Sequence, residues 1–445
     1  MTDWRPAPAA VGWLGAGVVL VALGILARRP DVVAMGVPLL LGVAWSTSAR
    51  TSRLPTARLW GDDQPSGTDG LVAAEVRLEP ADQATLVTIR VRAPGHRPAE
   101  ALVAVLAAPP EPVRVPVTMR TVRTGRRELF GLDHRTASNV GLHSTPVRSE
   151  PPLTMTILPS ARPLEDLPLP FRLQGLTGPH TSRRSGSGGD LHDVAPFAAG
   201  DRLRRIDWRV TARLNTAPAV LGAGRAGHPE RTISRLYVRR TFATADATVM
   251  LVIDSRDQVG PRVSTWGDAT SLREDESTSL DVARHAAVSM AGAYLAAGDR
   301  VGLEDLGKLR RPAPPAGGRR QLLLLSQQLA LSEPEGEPTR RERLPRLPSG
   351  ALIVVFSTFL DGDAAAMART WRRAGHRVLA VDTLPRLLVS GIPERLHTAY
   401  RIVAMERADR IRQLAAVGVE TFAWMDRALD PGLELSTMSR LRGRR

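Results

Sequence analysis

TVMLVIDS, residues 248–255, is an unbroken apolar run that ends on a carboxylate and a hydroxyl. Its length suits a strand, and a strand apolar on both sides must be covered on both sides. Downstream, SLDVARHAAVSMAGAYLAAG (279–298) sets Leu280, Ala283, Ala287, Met290, Ala291 and Tyr294 on one stripe, and Gly298 stops it, which predicts a helix. RVGLEDL (300–306) follows as a strand, RRQLLLLSQQLAL (319–331) as a helix and ALIVVFS (351–357) as a buried strand. DAAAMARTWRRAG (363–375) is a helix closed by Gly375, and HRVLAVD (376–382) is another buried strand. Strands alternating with helices predict an α/β domain, a doubly wound parallel sheet over 246–430, with a solvated linker at 333–348 and a basic tail at 431–445.

Outward from that domain, residues 71–160 carry short runs: LVAAEVRLEP (71–80), ATLVTIRVRAP (84–94), ALVAVLAAP (101–109), PVRVPVTMRTV (112–122) and a closing PLTMTILP (152–159). Val87, Ile89 and Val91 face one way and Thr88, Arg90 and Arg92 the other, the period of a half-buried strand. With Pro and Gly between the runs, the pattern predicts a small β-sandwich behind a Gly/Asp/Pro-rich connector, 51–70. It carries no chemistry and serves as a structural spacer.

At the N-terminus, APAAVGWLGAGVVLVALGILA (7–27) is uncharged and long enough to cross a hydrocarbon core. Arg28, Arg29, Pro30 and Asp31 interrupt it, and a second uncharged run extends from Val32 to Ala49. The pair predicts a transmembrane helical hairpin within 1–50. A signal peptide followed by a buried helix is the other reading, but a small-residue cleavage site is poorly defined. Arg5, Arg50, Arg53 and Arg58 flank the hairpin and outweigh Arg28 and Arg29 in its loop, which favours a cell-membrane protein with a cytoplasmic body.

The chain has 445 residues, too many for one ordinary domain, and its 43% hydrophobic content excludes wholesale disorder. The lack of cysteine excludes disulfides, thiolate metal sites, Fe–S clusters and cysteine nucleophiles. Sixty basic against 45 acidic residues give a charge of +15, and Lys308 is the only lysine. Nucleic-acid binding ranks last among the functions considered, because aromatic residues are not interleaved with the arginines and acidic residues lie among them.

The segment GPHTSRRSGSGGDLHDVAPFAAGDRLRRIDWRVTARL (178–214) is the most distinctive. Gly186 to Gly189 reads as a flexible loop, and Gly200-Asp201 turns the chain. Arg204, Arg205, Asp207, Trp208, Arg209 and Arg213 then crowd together. Arginine forks fit carboxylates, so the favoured expectation is a buried ion-pair strap between domains, with Trp208 as its packing anchor. The alternative is a docking surface for an acidic partner or a phosphate.

G-D-x-x-R-x-I-D-W-x-x-x-A-R, from Gly200 to Arg213, resembles the signature of the bacterial domain-of-unknown-function family fifty-eight, DUF58. Gly178, His180, Ser182, Gly186 and Gly188 resemble its upstream element. The resemblance implies a membrane hairpin, a β-rich segment, a von Willebrand factor A-like domain on the C-terminal side and, as partner, a MoxR-type AAA+ ATPase. This chain departs from the family pattern around Ala195, Pro196 and Phe197, and an insert at 215–234 interrupts the signature segment 178–242.

In the fold so implied, D-x-S-x-S at the carboxyl end of the first strand supplies oxygen ligands to Mg²⁺. Here that place reads Asp254, Ser255, Arg256, Asp257, Gln258, with both serine ligands replaced. Asp361 and Asp363 could add later carboxylates, but the cation of Arg256 opposes a metal ion. Gly302 to Lys308 imitates a phosphate loop, but Leu309 replaces the hydroxyl that would hold Mg²⁺. Gly222, Gly224 and Gly227 imitate a dinucleotide fingerprint, but His228-Pro229 leaves no helix start for a pyrophosphate. No H-E-x-x-H pair or G-x-S-x-G elbow occurs. The expectation is a non-enzymatic, membrane-anchored scaffold or adaptor that binds a protein partner, and the alternative is a metal-dependent hydrolase using Asp254 and the later carboxylates.

Overall fold

The structure is a computed structural model that describes residues 4–48, 54–61, 70–80, 82, 84–106, 111–138, 140–173, 178–215, 235–266, 272–309, 311–335, 345–425, 435 and 437–439. Residues 62–69 of the connector, 216–234 of the insert with its Gly222, Gly224 and Gly227, and 440–445 of the basic tail lie outside the described residues. The chain divides into two compact units, Met1–Ser160 with Val259–Arg284 and Gln327–Glu333, and Ala161–Gln258 with His285–Ser326 and Pro334–Arg445.

The first unit opens with β1 (Arg5–Pro6) and two helices, α1 (Pro8–Leu26) and α2 (Pro30–Ser48). Both are long and apolar enough to cross a membrane, with mean hydropathies of 2.3 and 1.4. They meet where side chains are missing: a Cβ on Gly36 would lie 2.8 Å from the Gly17 carbonyl oxygen. Small residues permit such backbone approach between apolar helices.

Eight strands complete this part: β2 (Ala57–Gly61), β3 (Leu71–Leu78), β4 (Thr85–Arg92), β5 (Ala99–Val105), β6 (Val113–Arg120), β7 (Gly125–Ser138), β8 (His143–Ser144) and β9 (Arg148–Ile157). One sheet runs β1-β8-β7-β4-β5 with β9 also on β7, and the other runs β2-β3-β6, every pair antiparallel. Val72, Val76 and Leu78 from one sheet share a core with Val87, Ile89, Phe130 and Leu132 from the other. Strand β7 escapes the hydrophobic pattern for a physical reason. Its inward positions continue past Leu132 as His134, Thr136 and Ser138, which are buried but polar.

In the second unit β10 (His180–Pro196) and β11 (Tyr237–Ala245) form an antiparallel ribbon, with α3 (Trp208–Asn215) between them in sequence. Gly186 to Gly189, expected as a loop, lies inside β10, and the register against β11 slips between Gly186 and Leu191. Glycine-rich sequence here makes a bulged strand.

The chain then runs through β12 (Thr248–Ile253), α4 (Ser279–Ala296), β13 (Arg300–Asp305), β14 (Ala313–Ala316), α5 (Arg319–Ala330) and β15 (Leu352–Ser357). It ends in α6 (Asp363–Arg373), β16 (Arg377–Asp382), α7 (Glu394–Ala416) and β17 (Glu420–Ala423). The sheet order is β14-β13-β12-β15-β16-β17, with every neighbour pair parallel except β13 and β14. Every residue of β15, and Val249 to Ile253 of β12, is buried, so the central strands are covered on both faces. The phosphate-loop look-alike starts inside β13, where a Cβ on Gly302 would lie 2.7 Å from the Ala313 carbonyl oxygen.

Residues 259–284, expected within the 246–430 domain, belong to the first unit. Buried charge accounts for this. Asp281 Oδ1 accepts from the Thr124 N–H and hydroxyl, at 2.8 and 2.7 Å, and Oδ2 accepts from the Thr278 N–H and hydroxyl, at 2.9 and 2.7 Å. Arg123 Nε lies 3.0 Å from Oδ2 and Arg284 Nη1 lies 3.6 Å from Oδ1. Burial pushes the Asp281 carboxyl up, but Arg123, Arg284 and the donated hydrogen bonds outweigh it and hold the group below the usual carboxylate range. Its contribution is therefore complete at neutral pH and is lost as pH falls through that lowered pKa. Asp281→Asn takes the carboxylate from between two buried cations, leaving Arg123 without its ion pair, and is expected to cost about 3–5 kcal/mol. Thermal melting of the full chain checks this: Asp281→Asn should lower the midpoint by many degrees, and Glu100→Ala, which breaks an exposed pair with Arg90, should leave it in place.

Candidate functional site

The 200–213 motif builds a short, well-held platform. Gly200 takes a left-handed φ of 100°, which favours glycine. Asp201 accepts from the Ala198 N–H at 2.9 Å and from Arg240 Nη2 at 3.2 Å, and these two bonds hold its carboxyl below the usual range. Arg205 Nη1 donates to the Gly186 carbonyl at 2.6 Å, which ties the turn to β10. Ile206 is buried and bridges Val238 on β11. Asp207 Oδ1 accepts from the Arg209 and Val210 N–H groups, both at 3.0 Å, so Asp207 caps the N-terminus of α3. Its ion pair with Arg239 is longer, at 3.7 Å.

This corrects the expected strap. Asp207 is a helix cap, a role worth about 1 kcal/mol. Trp208 is not the buried anchor either, since 66% of it is exposed. Thr211 takes the inward position instead, 6% exposed, with its hydroxyl accepting from the Tyr237 N–H at 3.0 Å. Trp208 is the first residue of α3 and lies about 60° around the helix from Thr211, far enough to leave its ring in solvent. Arg204, Arg209 and Arg213 are exposed with it. The Arg204 and Arg209 side chains form no ion pair among the described residues. Leu203 and Leu214, in the same motif and the helix that follows, are 69% and 51% exposed.

The carboxyl edge of the sheet is built differently. Strand β12 delivers Asp254, and β15 delivers Ser357 beside it, whose hydroxyl donates to Asp254 Oδ2 at 2.8 Å. Arg256 folds back on Asp254 with two parallel bonds, Nε to Oδ1 at 2.8 Å and Nη2 to Oδ2 at 2.9 Å. The same guanidinium donates from Nη2 to Asp361 at 3.2 Å and from Nη1 to Asp363 at 3.1 Å. Burial works against its charge, but the bonds and charges of Asp254 and Asp361 outweigh that and raise its pKa above the ordinary arginine value. Ser255 points elsewhere and donates to Asp305 Oδ1.

The residues implied for a Mg²⁺ site therefore do not fit one. The carboxylates that would bind the ion are already spent on Arg256, and Gln258 stands where a serine hydroxyl is needed. Among the described residues, no group of three His, Asp or Glu side chains could hold a metal ion.

Residues 231–387 match a family model described as "Protein of unknown function DUF58". The match supports that family for this part of the chain. It takes in β11 to β16 and the Asp254 edge, and it begins after the 200–213 motif that carries the sequence resemblance. Comparison with curated proteins finds no match.

One titration at the edge can be tested. Burial, then the charges of Asp254 and Asp361, push the Asp257 carboxyl up to about 7, against the opposing pull of its hydrogen bond from Thr358 and of Arg256. The folded state thus keeps a proton that the unfolded chain loses from about pH 4 upward, and stability declines from there to about pH 7 and then levels. Asp257→Asn should flatten that decline and gain stability over wild type at about pH 8. Melting curves across this range decide, and an unchanged slope in the variant contradicts the assignment.

Proposed function

We propose that this protein is a membrane-anchored, non-enzymatic scaffold or adaptor. In this reading α1 and α2 span the membrane as a hairpin, the body stands in the cytoplasm, and the second unit captures a protein partner. The order of the second unit's sheet, with antiparallel β14 at one edge, supports the von Willebrand factor A-like, doubly wound reading of that unit.

The observation that carries the proposal is the exposed face of α3. An indole 66% in solvent, with Arg204 and Arg209 close to it in sequence and without ion pairs among the described residues, is held in place by a capped helix, a tethered turn and a bulged ribbon. Interfaces draw their energy from aromatic and arginine anchors of this kind. The chemistry fits an acidic, partly apolar protein surface, and the DUF58 resemblance names a MoxR-type AAA+ ATPase as the candidate. The alternative, a metal-dependent hydrolase, requires Asp254, Asp361 and Asp363 to be released from Arg256.

Trp208→Ala and the pair Arg204→Glu, Arg209→Glu alter only exposed side chains, so the melting temperature should stay within a degree or so of wild type. Capture of a MoxR-type ATPase by the full chain in detergent should fall at least tenfold in each, as expected when an interface anchor is lost. Undiminished capture by both variants would remove α3 from the binding surface.

A further inference from the structure

The two apolar helices are bonded to the sandwich at the start of α1 and the end of α2. β1, immediately before α1, adds itself to the sheet edge by pairing Arg5 with Ser144 and Pro6 with His143. The Ala7 N–H then donates to the Leu142 carbonyl at 2.8 Å. At the other end of the pair Ser46, in the last turn of α2, has no exposure and lies 3.1 Å from Ser138 Oγ and 2.9 Å from His143 Nδ1. The β7–β8 turn and the loop after β8 are thus held at the level where both helices end.

That level can be located on the helices. Trp13 on α1 and Trp45 on α2 are 38% and 67% exposed, both near the ends that join the sandwich. A Cβ on Gly42 would lie 2.9 Å from the Trp13 ring, so the two helices present their indoles at one height. Tryptophan collects at the membrane–water interface. With a rise of about 1.5 Å per residue, Trp13 lies about 8 Å inside the start of α1 and Trp45 about 5 Å inside the end of α2. The headgroup layer on that side is therefore where the sheet edge sits. Two apolar side chains stand exposed there, Val140 in the turn at 41% and Val147 in the following loop at 62%, with exposed Arg148 next in sequence.

We propose that this edge of the sandwich, through Val140 and Val147, rests in the headgroup layer of an anionic bilayer, a second lipid contact beyond the spanning helices. The inference rests on the membrane-hairpin reading. Its occupant is lipid because the turn and loop that carry the two valines are bonded to the ends of the apolar helices, and because Arg148 beside Val147 complements anionic headgroups.

The chain has no cysteine, so single-cysteine variants report cleanly. Val140→Cys and Val147→Cys, each in the full chain, carry an environment-sensitive fluorophore in nanodiscs of equal parts phosphatidylcholine and phosphatidylglycerol. Lipids spin-labelled at the headgroup should quench both several-fold. The same label at Leu102→Cys, 65% exposed on the far edge strand β5, should be untouched. A label at Val19→Cys, midway along α1, tests the hairpin separately through acyl-chain spin labels. Quenching at Val19 without quenching at Val140 and Val147 overturns the inference and leaves the hairpin standing. No quenching at Val19 removes both. A blue shift at Val140 and Val147 without lipid quenching assigns the patch to protein contact and also overturns it.

Discussion

Arg256 and Asp254 form the pair on which the rest of the second unit's edge depends. The two residues are neighbours but one in sequence, yet the guanidinium turns back to grip Asp254 with two bonds while reaching Asp361 and Asp363 across the sheet. A planar fork with several donors can serve three carboxylates at once, which an ammonium on a flexible stem does less well. The consequence is structural. The loop from Ser357 to Asp363 is held by this cation from one side and by Arg407 and Arg410 of α7 from the other, through the carbonyls of Thr358, Phe359 and Leu360. Phe359 takes a left-handed φ of 53° within that loop and is 1% exposed, so the loop's path is imposed by its surroundings.

That closure redirects the functional question. A sheet of this order brings its chemistry to the carboxyl ends of its strands. Here that edge is a self-contained ion cage, and Trp208 and Arg209 face solvent from α3. The 200–213 motif divides the labour accordingly. Gly200, Asp201, Arg205 and Asp207 spend their side chains or conformations on holding the turn and the helix. Trp208, Arg204 and Arg209 are what they hold out.

How much of this was legible in the sequence depended on whether burial and polarity agreed. Strands β12, β15 and β16 were readable because both faces are buried and their central residues are apolar. The Asp254 edge was legible in part, as a cation, Arg256, set among carboxylates, because charge is a property of the residue itself. Strand β7 was hidden by buried His134, Thr136 and Ser138, and β10 by glycines that make a bulge. The density of arginines around Asp207 points to a buried ion-pair network there. The network lies at Asp281, whose partner Arg123 is 158 residues away and invisible to local spacing. Trp208 was misjudged for a related reason. Which side of a two-turn helix faces inward is set by Ile206 and Thr211 meeting β11, and nothing in the local pattern announces that contact.

Whether Arg256 stands where a divalent cation would is decided by titrating Mn²⁺ into the purified full chain and following the free-ion signal by electron paramagnetic resonance. The account predicts that wild type and Asp254→Ala leave the signal equally undiminished at micromolar Mn²⁺. Stoichiometric loss of the signal with wild type, restored by Asp254→Ala, would contradict it.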